Sequence, residues 1–276
     1  INQEGGGLAR LLAERSMLAW VHLLNGDSAE GLTKLLELFP GAPQQRDSDG
    51  ATPLHHAAKA GNAAAARLLI EQGADVNAPG GRRKDTPLAW ASNKDMVELL
   101  LAHNAEFQKQ DHSGEAPLIC HAIAGHAEVV EALLAAGTNP NGRVKDDPKG
   151  YTALHYAAVQ NQAEVVKVLV RHGADLKAVL GDGATTLHEA ARVNAAGAVA
   201  ALLEAKADPS ARDADGRTPL HAIARTGKNL KKGEALAHAL SIIEQLKKAG
   251  SDLNAKDHGG KTPAEISREE LRAHFK

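Results

Sequence analysis

The sequence predicts an all-α chain built as a tandem array of helix–turn–helix units. Three observations predict it. A segment of about eleven residues recurs along the chain, each copy carries helix start and stop signals, and the apolar residues are of the kind that packed helices use. "ATPLHHAAKAG" from Ala51 returns as "DTPLAWAS" from Asp85, "EAPLICHAIAG" from Glu115, "YTALHYAAVQN" from Tyr151, "ATTLHEAARVN" from Ala184 and "RTPLHAIARTG" from Arg217, with a last fragment "KTPAEIS" from Lys261. The threonine position falls at 52, 86, 116 (Ala there), 152, 185, 218 and 262, in steps of 34, 30, 36, 33, 33 and 44 residues.

Composition agrees and excludes other classes. Apolar residues make up 43% of the 276, but Phe, Trp and Tyr together only 3%. A core of Ala and aliphatic side chains suits closely packed helices rather than a β-sandwich, which draws on aromatic and β-branched residues. The net charge of −2, with both signs mixed along the chain, provides no field toward nucleic acid or anionic lipid. No apolar run approaches the ~20 residues that span a bilayer. The single cysteine, Cys120, excludes an internal disulfide. The chain starts at Ile1 rather than Met, which predicts that something upstream was removed; location is then cytoplasmic, or periplasmic or exported if that segment was a signal peptide.

Each element follows from its residues. A helix is predicted near Leu8 to Leu24 and a degenerate second helix over Ser28 to Phe39, together an N-terminal cap within residues 1–45. In the first repeat Thr52 fits an N-cap and Pro53 the first helical position, where a missing N–H costs nothing. His55, three residues after the cap, can bond back to the threonine and to the neighbouring turn, as in a capping box. Ala57 and Ala58 let a second helix approach. Gly61 and Gly73 can take the left-handed conformation that ends the first and second helices. Gly, Asp and Asn between Asn77 and Thr86 mark a hairpin-like turn. Six repeats are expected over 46–260 and a polar C-terminal cap over 261–276, one domain over 1–276.

The Thr-Pro-Leu-His tetrapeptide, the Ala pair, the "EVV.LL" helix (Glu128 to Leu134, Glu164 to Leu169) and the "GAD" turn (Gly73 to Asp75, Gly173 to Asp175) resemble the ankyrin repeat, over roughly residues 26 to 270. The resemblance implies L-shaped units of two antiparallel helices and a protruding hairpin, stacked into a solenoid. It also implies a role in protein–protein recognition through the hairpin tips and the inner face of the first helices. His55, His155, His188 and His221 are then repeat histidines with structural duty. His56 sits at the variable position also held by Trp90, Cys120, Tyr156, Glu189 and Ala222. Adjacent histidines on a helix point about 100° apart and cannot share a metal unaided.

Three departures from the pattern mark candidate function. The second repeat lacks three residues between Leu88 and Met96 and has Ala89 for the histidine, which shortens its first helix beside Trp90. The third has lost both Thr and His (Ala116, Ile119), with His121 at an Ala position. Either these repeats form a hollow around Trp90 and His121, or Trp90 fills the space of the deletion and His121 is satisfied internally. The turn from Asn139 to Thr152 is three residues longer, and its Val144 and Tyr151 suit an interface anchor. The sixth repeat takes 23 positions from Gly227 to Gly250, where Gly61 to Gly73 takes 12, lengthening the inter-helix loop and the second helix. Its Lys228, Lys231 and Lys232 read as a solvated face, because no aromatic or Arg residue interleaves with them.

No zinc-protease, serine-hydrolase or phosphate-loop motif occurs, so no catalytic residue, metal ligand or cofactor is assigned. The expected function is a non-catalytic, monomeric protein-binding module. The candidate contact residues are Arg82, Arg83 and Trp90; His112; Arg143, Val144, Lys145 and Tyr151; Tyr156, Val159 and Gln160; Leu180 and Asp182; Arg192 and Val193. Val179 and Leu180 are expected as an exposed apolar pair. Neither nucleic acid nor membrane is an expected partner. A sharper version is an inhibitor or immunity-type protein that blocks an enzyme with its hairpin fingers, and the Ala-rich, Cys-poor composition is compatible with a bacterial source. The alternative is a passive scaffold or part of a larger multidomain protein.

Overall fold

The computed structural model describes residues 29–111, 113, 115–144, 147–225 and 233–275. The expected helix near Leu8 to Leu24 and the loop lysines at 228, 231 and 232 lie outside these residues, as do the contact candidates His112 and Lys145. Among the described residues the structure is helical, and β-pairing occurs only as isolated bridges at the bases of the hairpin turns, Gly80 with Asp85, Arg143 with Thr152 and Val179 with Thr185. No described helix is long and apolar enough to cross a membrane.

The helices come in pairs, one pair per repeat. α1 (Ala29–Leu38) leads, followed by α2 (Pro53–Ala60) with α3 (Ala63–Glu71), α4 (Pro87–Trp90) with α5 (Lys94–Ala102), and α6 (Pro117–Ala124) with α7 (Ala127–Ala135). Then come α8 (Ala153–Val159) with α9 (Ala163–Arg171), α10 (Thr186–Arg192) with α11 (Ala196–Glu204), and α12 (Pro219–Ala224) with α13 (Glu234–Lys248). α14 (Pro263–Ile266) and α15 (Glu269–Arg272) close the chain. Contacts divide the chain into two compact units, one of residues up to His121 with Glu131–Thr138, the other of Ala122–Val130 and Asn139 onward.

Within each unit the first helices stack on one another and the second helices form a second layer. In the first unit α2 packs on α4, and α3 on both α1 and α5. In the second, α8, α10, α12 and α14 follow one another in one layer and α9, α11 and α13 in the other. Fully buried leucines lie between the layers: Leu54, Leu69, Leu88 and Leu100 in one unit, Leu154, Leu169, Leu202 and Leu220 in the other. Each contributes about 2 kcal/mol of transfer free energy. The Ala pairs at 57–58, 157–158 and 190–191 are equally buried, since larger side chains there would hold the layers apart.

Gly61 (φ 70°) and Gly73 (φ 85°) end their helices in the left-handed region as expected. At the position of Gly61, later repeats place Asn161 (φ 57°) and Asn194 (φ 65°), the residue type that best tolerates this conformation after Gly. The deletion in the second repeat reduces α4 to four residues, and Ser92 donates its amide directly to the Ala58 carbonyl of α2 (3.1 Å). In the sixth repeat the added residues lengthen the second helix, fifteen residues in α13 against nine in α9 and α11. The polar C-terminal piece has two apolar anchors, Leu271 and Phe275, both buried.

Candidate functional site: the hairpin and first-helix positions

The repeat histidines organise the ground on which the site is built. His55 Nδ1 lies 3.1 Å from the backbone N of Thr52 and 2.8 Å from its hydroxyl, and Nε2 lies 3.0 Å from the Asp85 carbonyl in the next repeat. A backbone N–H can only donate and a carbonyl only accept, so Nδ1 is the bare nitrogen and Nε2 carries the proton. His188 repeats the arrangement with Thr185 and the Arg217 carbonyl (2.9 Å), His221 with Thr218 and the Lys261 carbonyl (3.0 Å). His155 makes the same bonds to Thr152 on its Nδ1 side. Each ring thus caps its own helix, and those of His55, His188 and His221 also tie down the residue that precedes the next repeat's threonine. Burial holds His55 and His155 at a pKa of about 4 and lowers His188 and His221 as well, which keeps the rings neutral.

Three register positions remain available around this frame: the residue before the threonine, the residue four after it, and the residue seven after it. In the first unit they give Asp85 and Glu115, Trp90 and Cys120, with Arg83 and Asp111 on the hairpins. Trp90 stands edge-on to His55 (5.2 Å between centroids) and His56 (5.9 Å), and its Nε1 reaches Asp85 Oδ2 at 3.4 Å. His56 in turn binds Asp47 (2.8 Å). Arg83 donates from Nε to Asp111 (2.7 Å) and bonds Glu115. Burial opposes charge on its guanidinium, but those two carboxylates more than offset this and raise its pKa. Asp85, Asp111 and Cys120 each place a donor atom within 4.8 Å of the others, with Arg83 seated among them. Burial pushes the Cys120 thiol up to about 12, so it is not an activated nucleophile.

The second unit uses the same register positions differently. Tyr151 and Tyr156 lie 5.0 Å apart between ring centroids. The Tyr151 hydroxyl donates to Glu189 Oε2 (2.5 Å), and Arg192 grips the same carboxylate with two bonds (2.8 and 2.7 Å). Glu189 is only 4% exposed. Burial alone would raise its pKa, but the bonds from Arg192 and Tyr151 outweigh burial and hold it below the usual range. Beside this triad opens a hollow of about 190 Å3, lined among others by His188, Asp182, Asp213, Arg217 and Arg225.

The other expected contact residues fall as follows. Arg82 is exposed and reaches Asp49 (3.2 Å), apart from Arg83 and its cluster. Arg143 folds back onto the carbonyls of Gly150 and Val179 (3.4 Å for the latter), stitching one hairpin to the next. Val159 and Val193 are half-buried, Gln160 and Asp182 exposed. Two expectations are corrected. Val144 is 8% exposed and pairs through its amide with the Tyr151 carbonyl, so it closes the hairpin rather than projecting from it. Leu180 is 5% exposed while Val179 is 45% exposed, because alternate residues of the extended stretch point to opposite sides; there is no exposed pair. His121 is buried with Nε2 3.0 Å from the Leu88 carbonyl, and Trp90 covers Gly81, where a Cβ would come 2.8 Å from its ring. Both therefore make the internal contacts of the second alternative.

Sequence reading missed Arg217 and Arg225 as site residues. The signal was present: Arg225 stands seven residues after Thr218, the position where Val159 and Arg192 were singled out. Glu189 was placed at a variable position without a role, because its partner Tyr151 lies 38 residues away and in another repeat.

Stacked helix pairs, hairpin turns and a capping histidine in four of the repeats define a helical-repeat protein, and the comparisons give its family. The family model for ankyrin repeats in three copies matches residues 18–111 and 92–180, and that for the single ankyrin repeat matches 182–214 and 215–258. The chain belongs to the ankyrin repeat family. It is 31% identical over 152 residues to the neurogenic locus notch homolog protein 1 of Danio rerio, 54% of this chain and 6% of that protein. It is 33% identical over 162 residues to the transient receptor potential channel pyrexia of Drosophila melanogaster, and 30% over 172 to human inversin. Those two matches span 56% and 60% of this chain but 16% of each relative. The crystal structure of the human ASB11 ankyrin repeat domain superposes with a TM-score of 0.67 at 23% identity, covering 82% of this chain and 96% of that one.

Proposed function

We propose that this chain is a non-catalytic recognition module that binds a folded protein partner, with its main contact on the tyrosine–arginine surface of the second unit. Ankyrin repeats are in general protein-interaction modules, and the particular surface is the present reading. One observation carries it: the only two tyrosines of the chain stand side by side, next to an arginine fixed by a buried glutamate. Tyr and Arg are the residue types that dominate binding energy at protein interfaces, and both are worth most when they are already ordered. Here the Glu189 bonds order Tyr151 and Arg192 before any partner arrives. Inhibition of an enzyme partner is one form of this reading, and a passive scaffold is another.

The test is affinity capture from native lysate beside a Tyr156→Ala variant, which leaves the Glu189–Arg192 pair in place, with the melting temperatures of both proteins measured alongside. A single stoichiometric protein held by the wild type and lost by the variant supports the reading. Equal capture by both moves the contact elsewhere. If the captured protein is an enzyme, its activity in the complex separates inhibition from scaffolding.

A further inference from the structure

The chain turns after each second helix in the same way. The amides of Ala78, Lys109, Gly142, Ala178, Ala211 and Ala255 each bond the carbonyl three residues back, at 3.2 to 3.4 Å. Four of these six positions hold Ala and one Lys; only the turn at Asn139 has glycine. The backbone there does not require it. A Cβ on Gly142 would come no nearer than 3.5 Å to the Asn139 carbonyl oxygen, and its φ is not in the left-handed region. The residue before it staples two turns together. Asn141 donates from Nδ2 to the Gly173 carbonyl (3.1 Å) and accepts at Oδ1 from the Asp175 amide (2.8 Å). Asn77 makes the same pair of bonds to the Asn104 carbonyl (3.1 Å) and the Glu106 amide (2.8 Å). Asn77 is half-buried and followed by the buried Ala78, whereas Asn141 is exposed and followed by Gly142.

An asparagine followed by glycine is open to reaction within its own chain, because no side chain on the glycine hinders the approach of its nitrogen to the amide carbon. We propose that Asn141 is a site of spontaneous deamidation, and that this reaction cuts the staple between the two turns as the protein ages. The Gly142 nitrogen gives its proton to hydroxide and attacks Cγ of Asn141. A C–N bond forms, the Cγ–Nδ2 bond breaks, and ammonia leaves. Water then opens the succinimide ring at one of its two carbonyls and leaves aspartate or isoaspartate, so the sum is one amide and one water converted to one acid and ammonia. An ionised carboxylate only accepts hydrogen bonds, so an aspartate here would face the Gly173 carbonyl with no donor between them. Isoaspartate adds a methylene to the main chain and carries its carboxylate away from the staple. In the closed turn the two staple bonds and the bond from Gly142 to Asn139 hold the reacting groups, so the reaction runs through local opening of this exposed segment.

The experiment is peptide mapping by mass spectrometry of the full chain held at mildly alkaline pH, beside Gly142→Ala and beside wild type kept unfolded in urea. Gly142→Ala suits the fold, since four other turns carry Ala at this position, and its methyl group hinders ring closure. Expected are conversion of Asn141 to aspartate and isoaspartate in the folded wild type, no conversion at Asn77 over the same interval, and loss of the product in Gly142→Ala. Hydrogen exchange of the aged wild type should show the Asp175 amide opening faster, with the Glu106 amide unchanged and both unchanged in aged Gly142→Ala. The other asparagine followed by glycine, Asn25, lies outside the described residues and is read in its own peptide. Folded wild type that keeps Asn141 intact after the unfolded sample has converted overturns the proposal, and so does equal conversion at Asn77 or in Gly142→Ala. Conversion that leaves the Asp175 amide as slow as before overturns the loss of the staple.

Discussion

At the scale of single residues, the buried histidines make the protein acid-sensitive in a defined window. In the folded chain His55 and His155 titrate at about 4, against about 6.5 when unfolded. Between those values the unfolded chain binds protons that the native one refuses, so stability rises with pH across the window. It is complete above about pH 6.5 and is lost as pH falls toward 4, by on the order of 3 kcal/mol per histidine at full protonation. Urea midpoints measured from pH 7 to pH 4 should fall steeply below pH 6.5 for the wild type, and less steeply for His55→Asn/His155→Asn. A flat wild-type profile would contradict the assigned proton positions. Trp90 gives a second check. It covers His55, His56 and Gly81 rather than a ligand, so Trp90→Ala should cost about 2 kcal/mol in chemical denaturation, as truncation of a packed aromatic does.

At the scale of elements, the helices were legible in the sequence and the hairpins only in part. Helix starts follow from Thr and Pro at fixed positions, and helix ends from Gly or Asn in left-handed conformation, all local signals. Even the shortened α4 followed from counting residues between Leu88 and Met96. Exposure along the hairpins did not, because it depends on which side of a two-residue bridge a side chain takes. Val144 and Leu180 turned inward for that reason. The close approach of successive hairpins can be tested at Gly183, whose φ is +77° and where a Cβ would lie 2.7 Å from the Ala214 amide nitrogen. The obstacle is backbone, which cannot swing aside. Gly183→Ala should therefore destabilise by about 1–3 kcal/mol, and hydrogen exchange should show the Ala214 amide, bonded to the Asp182 carbonyl, opening more often.

At the scale of the whole molecule, repetition made the family readable while the site had to be found by position. A residue four or seven places after the cap looks unremarkable in its own repeat, and its meaning comes from what the neighbouring repeats place beside it. The same register gives a closed, acid-rich cluster on Arg83 in the first unit. In the second it gives two tyrosines and a buried, ionised glutamate held by Tyr151 and Arg192. The residues of that surface that were anticipated, Tyr151, Tyr156 and Arg192, are types enriched at interfaces, whereas Glu189, which orders two of them, was given no role because its partner Tyr151 lies 38 residues away. The central claim is that a partner protein docks there. Hydrogen exchange on the complex with the partner recovered by capture tests it most directly. The claim predicts slowed exchange at residues 151–160 and 184–193 on binding, and unchanged exchange around Arg83 and Trp90. Protection confined to the first unit, with residues 151–193 unaffected, would contradict it.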